Sequence, residues 1–229
     1  MMLADGPPMA IFFLFAAIVI VVGVLAYMSS LQRRKELQAW AAQNGLDFSP
    51  DRSSDLDDQY PDFSCLRRGD SRYANNVLSG QYRQRAITGF DYHYSTGSGK
   101  NRQSHSFSAV IIDSPVPLQP LLIRPEGLFD KLAALVGAND IDFESVEFSK
   151  RFYVKAANRK WAYDVLHQRA MEFLLAQPNF AIQFDRRSII VWRDRTFGAQ
   201  EFGQAADIAC GLLEMLPDYL VAQQTQRQT

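Results

Sequence analysis

The chain has 229 residues, 47% of them hydrophobic, with 24 Lys and Arg against 25 Asp and Glu and a formal net charge of −1 at pH 7. A domain that neutralises a phosphate backbone carries a clear basic excess, so this balance argues against nucleic acid as a partner. Cys65 and Cys210 are too few and too far apart for a disulfide framework or a zinc site, and both are expected to be reduced and buried.

The first element is the run Met9 to Met28 (MAIFFLFAAIVIVVGVLAYM), twenty residues with no charge and no amide. At ~1.5 Å per residue, a helix of that length covers about 30 Å, the hydrocarbon core of a bilayer. It is predicted to span a membrane, with residues 1–8 as a short free end. No Lys or Arg precedes it, whereas Arg33, Arg34 and Lys35 follow within seven residues of its end. The rule of positive charge inside then places the N-terminus outside the cell membrane and the large C-terminal domain in the cytoplasm. A cleaved signal peptide fits less well, because the n-region is acidic and bulky residues close the run. The span carries neither GxxxG nor an intramembrane Asn, Gln or acid, and reads as a plain single-pass anchor.

Residues 29–44 (SSLQRRKELQAWAAQN) are good helix formers stopped at Gly45, so a juxtamembrane helix is expected to continue the anchor. Its Leu37, Trp40 and Ala41 make a narrow apolar face suited to docking on the domain that follows. That domain, residues 45–221, is large enough to fold alone. Leu46 to Ser49 reads as a short strand. The acidic stretch Asp51 to Asp62 imitates a calcium loop, but Leu56 stands where the turn needs glycine and Asp62 where a bidentate Glu is required. The reading retained is one helical turn capped by Ser54 and broken by Pro61.

From Phe63 to Ile123 the pattern has period two, the signature of an antiparallel meander. Strands are predicted at Phe63 to Leu66, Asn76 to Tyr82, Ala86 to Tyr94, Ser104 to Ile112 and Pro120 to Ile123. Phe90, Tyr92 and Tyr94 share one face, predicted to be packed; Asp91 and His93 share the other, predicted to be wet or partner-facing. The connector STGSGKNR lacks the glycine spacing and the Ser or Thr of a phosphate loop, and reads as a hairpin turn. Beyond it, a helix is expected over Gly127 to Val136, strands at Asp140 to Phe143 and Phe152 to Ala156, and one amphipathic helix over Lys160 to Ala176. A hairpin of Phe180 to Phe184 and Ser188 to Arg193 and a helix over Gln200 to Leu216 complete the domain. The tail, residues 222–229, is polar and expected to be disordered.

Three constellations bear on chemistry. His93 and His105, with Asp91 and Asp113 nearby, form the one acid/base group that adjacent strands could assemble. No nucleophile elbow accompanies them, so polar residues on a solvated face are the preferred reading. Asp140, Asp142 and Glu144 alternate with apolar residues and could hold a divalent cation, though charge at a strand edge also discourages sheet growth. The pairs Arg67-Arg68, Arg83 and Arg85, Arg186-Arg187, and Arg193 and Arg195 could meet anionic headgroups. No motif specifies a cofactor or a small-molecule ligand.

The pattern Phe148-Ser-Lys-Arg-Phe152-Tyr-Val154, followed by Ala162, Val165-Leu166, a hairpin and a closing helix, resembles uncharacterised bacterial membrane-anchored families of unknown function. The stretch Asn76 to Gly99 adds to that likeness, which covers roughly residues 46–220. Asn158 stands where such relatives often carry an acid. The resemblance implies a bacterial origin and a fold, and no activity. The expectation from residues and resemblance together is an α+β domain of largely antiparallel sheet with packed helices, behind one N-terminal transmembrane helix. Its expected role is a cytoplasm-facing, non-enzymatic module that binds a protein or lipid partner, with a membrane-tethered hydrolase using the His93/His105 region as the alternative.

Overall fold

The computed structural model describes residues 9–126, 141 and 143–226. The uninterrupted run of helix formers from the apolar segment into the basic one yields a single helix, α1 (Met9–Gln43). It ends at Gly45, whose φ of 67° suits the left-handed position after a helix. Residues 11–25 are exposed almost throughout, and the helix is long and apolar enough to cross a membrane.

The alternating segments form one antiparallel sheet of eight strands: β1 (Asp47–Ser49), β2 (Asp70–Tyr82), β3 (Arg85–Thr96), β4 (Gln103–Asp113), β5 (Leu121–Pro125), β6 (Phe152–Ala156), β7 (Ala181–Phe184) and β8 (Ser188–Arg193). Their order is β1-β2-β3-β4-β8-β7-β5-β6. The meander therefore holds from β1 to β4 and then breaks: the β7–β8 hairpin inserts between β4 and β5.

Both faces of the central strands β3, β4 and β8 are buried, which the alternation of residues 90–94 did not reveal. Phe90, Tyr92, Phe107, Ala109, Ile111, Ile190 and Trp192 pack beneath the crossing segment that holds α2 (Leu56–Gln59) and a 3-10 turn (Ser64–Arg67). On the other face Leu78, Ile87, Val110, Ile112, Ile189 and Val191 meet the end of α1 and the helices of the second half. The latter are α3 (Val146–Arg151), α4 (Arg159–Val165), α5 (Gln168–Ala176), α6 (Ala199–Glu214) and α7 (Asp218–Gln226).

Other differences have local causes. Phe63 to Leu66 is not a strand, because Phe63, Cys65 and Leu66 are all fully buried and a tight turn (Leu66 N–H to Phe63 C=O, 3.1 Å) lets them point the same way. Asp55, not Ser54, precedes α2, and Asp57 is buried against Arg72 Nε at 2.8 Å. The helix expected over Lys160 to Ala176 is two helices. At the break His167 Nε2 meets the Met215 carbonyl at 3.0 Å, and the turn brings Trp161, Val165 and Leu166 together with Ala170 and Leu174 in the core. Helix α3 was not anticipated; Ser145 caps it by accepting from the Phe148 N–H, and Phe148 is buried. The chain beyond Val221 remains helical to Gln226, where disorder was expected, because Leu220 buries against the core one turn after Pro217. The helix expected at 127–136 lies outside the described residues, as does most of the strand expected at 140–143.

Candidate functional site at the helix–sheet junction

Arg33, Leu37 and Ala41 are four residues apart and so form one stripe on α1. Leu37 and Ala41 are buried in the same cluster as Leu46, Leu78 and Phe202. Trp40 lies beside them with its ring 3.3 Å from where a Cβ on Gly203 would stand, so the lack of a side chain at 203 permits the close approach of α1 and α6. The core that continues through residues 45–221 thus also includes Leu37 and Ala41, from the last two turns of the long helix.

At the head of the stripe Arg33 grips Asp91. Its guanidinium donates through Nη1 to Oδ2 at 2.6 Å and through Nη2 to Oδ1 at 2.8 Å, while Nε and Nη2 also donate to the Phe197 carbonyl at 3.0 and 2.8 Å. A bidentate fork of this kind is among the stronger polar contacts proteins make. The Asp91 side chain is 3% exposed and that of Arg33 25%. Asn76 Nδ2 donates to Oδ2 at 2.8 Å and the Ser108 hydroxyl to Oδ1 at 2.5 Å; the same hydroxyl accepts from the Phe197 N–H at 2.8 Å. Asn76 reaches inward because β2 is irregular between Asn75 and Leu78 and Asn76 itself sits at φ 49°. Its Oδ1 is buried without a hydrogen-bond partner among the described residues. Arg33, Asn76 and Ser108, from three separate elements, therefore converge on one buried carboxylate, and the Phe197 backbone ties two of them together; such a group is too costly to bury unless it is paired and hydrogen-bonded.

His93 lies next on the same face of β3. With its proton on Nε2 it donates to Asn75 Oδ1 (3.1 Å) and accepts at Nδ1 from the Ser106 hydroxyl (2.7 Å). Its ring stacks on Tyr73 at 4.7 Å, and Arg52 lies 4.5 Å above that same tyrosine ring. Burial pushes the imidazole below its ordinary value; the attraction of Asp91 opposes this, and the cations Arg52 and Arg33 add to it. His105 is in register with Tyr94, not with His93, and therefore points to the opposite face, stacked on Tyr94 at 4.9 Å and bonded to Thr96 Oγ1 at 2.8 Å. Asp113 is at the far end of β4, in register with Ser188, where burial and then the Asp185 charge raise its pKa.

The four residues considered for acid/base chemistry are thus not assembled. His93 does touch a serine, and its other nitrogen is held by the neutral amide of Asn75, where a Ser-His-Asp triad has a carboxylate. The neighbouring carboxylate, Asp91, is occupied by Arg33. Of the three residues considered for a cation, Asp140 and Asp142 lie outside the described residues and Glu144 is exposed. Among the described residues no group of three or more His, Cys, Asp or Glu is placed to hold a metal. Of the three basic residues assigned to orientation, Arg34 and Lys35 are exposed, while Arg33 has a structural role that the sequence reading missed. Its four-residue spacing from Leu37 was the available signal.

No protein-family model matches the chain, and no curated protein matches it. Among solved structures it is similar to the crystal structure of the mycobacterial trehalose monomycolate transport factor A, TtfA, with a TM-score of 0.59 and 18% identity over 80% of this chain and 96% of that one. At that identity the likeness establishes a shared fold.

Proposed function

We propose that this chain is a single-pass membrane protein whose cytoplasmic domain is a non-enzymatic binding module for a lipid or protein partner, held in a fixed attitude to the bilayer. The observation that carries this reading is the junction. A tether that only localises a domain needs no more than a flexible linker. Here the helix that would cross the membrane continues without interruption into the core and is clamped there through Arg33 and Asp91. One particular end of the sheet is then always turned to the bilayer, which matters for a surface acting on something in or on the membrane. The cytoplasmic side is supported by Arg34 and Lys35, both exposed just beyond the span. A lipid is placed among the partners because the structurally similar TtfA is a trehalose monomycolate transport factor, and the bacterial family resemblance belongs to the same reading.

Two experiments test it. A C-terminal reporter active only in the cytoplasm is expected to work, and Arg34→Glu with Lys35→Glu should weaken that orientation while leaving the Arg33 clamp intact. A reporter active only on the outer side would reverse the topology. Insertion of a flexible Gly-Ser segment after Ser30 should leave domain stability unchanged, because every clamp contact lies after it, yet reduce recovery of cross-linked native partners several-fold. Undiminished recovery would reject the fixed attitude.

A further inference from the structure

We infer that the β3–β4 hairpin tip, residues 96–104, is a contact surface for anionic phospholipid headgroups, brought to the bilayer by the clamp between Arg33 and Asp91. The inference rests on the membrane-tether reading above and adds the face and the chemistry of its contact. Direction comes from two fixed points along α1. Ala41 hydrogen-bonds the Leu46 N–H through its carbonyl, and Leu46 lies against Gly80, which is in register with Ile87 of β3. Arg33, eight residues earlier, holds Asp91. Travel towards the N-terminal, apolar part of α1 is therefore travel towards the C-terminal end of β3, where the hairpin lies.

Reach follows from element geometry. Met28 precedes Arg33 by five residues, about 7.5 Å of helix. Gly97 follows Asp91 by six residues, about 20 Å of strand. Even if helix and strand crossed at 60°, roughly 10 Å of that length would point along the helix, so the tip is level with the polar end of the span or beyond it.

Composition selects the ligand. Ser95 to Ser104 reads STGSGKNRQS, without one acid and without one large apolar side chain, and residues 97–104 are all exposed. Lys100 and Arg102 are its cations; Arg34 and Lys35 on α1 are exposed too, and Arg52 lies over the Tyr73 ring in the same quarter of the molecule. The acid nearest the tip in register is Asp70, opposite Ser95, and Arg102 Nη2 donates to Ser71 Oγ beside it at 2.6 Å. Cations with small hydroxyl and amide residues match phosphate oxygens, and the lack of apolar side chains keeps the tip in the headgroup layer. Basic residues held at an anionic surface each raise apparent affinity about five-fold, and salt screens the effect.

The test uses the full chain in vesicles of phosphatidylcholine alone or mixed with phosphatidylglycerol. Ser98→Cys can be labelled selectively with a fluorophore, because Cys65 and Cys210 are completely buried. Headgroup-labelled lipid should quench a probe at position 98 several-fold more than one at Arg186→Cys, on the turn between β7 and β8. Quenching should be stronger with phosphatidylglycerol, fall with salt, and be lost in K100E/R102E. Equal quenching at both positions, or no response to the charge reversal, overturns the inference while leaving the tether reading intact. Shielding of position 98 in native membranes without quenching in lipid vesicles would assign the tip to a protein partner and also overturns it. A chain that fails to float with either vesicle overturns the tether reading and the inference together.

Discussion

A chain beginning at Gly45 is expected to aggregate, whereas one beginning at Leu31 stays soluble, although the apolar content after residue 45 by itself suggests an independent domain. The cut removes Leu37, which is fully buried, and Ala41, 1% exposed, together with the Trp40 cover on Gly203. Burying a leucine side chain contributes about 1.5–3 kcal/mol. The cut also removes Arg33 and leaves Asp91 without its cation, and loss of one partner of a buried pair typically costs about 3–5 kcal/mol. Together these losses are comparable to the whole stability of a typical domain, about 5–15 kcal/mol. Thermal unfolding and sedimentation of residues 31–226 and 45–226, prepared side by side, provide the check. A monomeric 45–226 with an unchanged melting temperature would mean that the end of α1 merely lies on a domain complete without it.

The parts of the fold legible from sequence are those whose pattern is local. The apolar run of α1, the alternation through β3 and β4 and the β7–β8 hairpin all announce themselves within a dozen residues. The placement of β8 beside β4 does not, since it depends on which strand edges meet across the chain that holds β5 and β6. Asp91 alternates with Phe90 and Tyr92 and so reads as the solvated side of a half-buried strand. What holds it in place is an arginine from the end of α1 together with Asn76 and Ser108, and both Arg33 and Ser108 are bonded to the Phe197 backbone, more than a hundred residues later. Arg33 was misread for a similar reason. A basic residue just past a membrane span has a ready explanation in topology, and that explanation hid the stripe it forms with Leu37 and Ala41. The histidines failed as a pair on register alone: with Tyr94 opposite His105, the two imidazoles must face opposite sides of the sheet.

The two ends of the clamp should respond unequally when cut. Arg33→Ala leaves a carboxylate 3% exposed in its side chain with only Asn76 and Ser108 to satisfy it, and an unpaired buried charge is the costlier residue of a broken pair. The expected loss is about 3–5 kcal/mol. Asp91→Asn keeps the shape and removes the charge. Arg33, a quarter exposed, can turn part of its guanidinium to water while its bonds to the Phe197 carbonyl persist, so the loss should be nearer 1–3 kcal/mol, the cost of unsatisfied hydrogen-bonding groups. The double variant Arg33→Ala with Asp91→Asn should be more stable than Arg33→Ala alone, because it removes the stranded charge along with its cation. Denaturant unfolding of the three variants in residues 31–226 measures all three quantities in one cycle. If Arg33→Ala and Asp91→Asn cost the same and their effects simply add, the pair does not couple. The helix would then be held by Leu37 and Ala41 alone, and the attitude of the domain to the bilayer would rest on packing, without the ion pair that now fixes it.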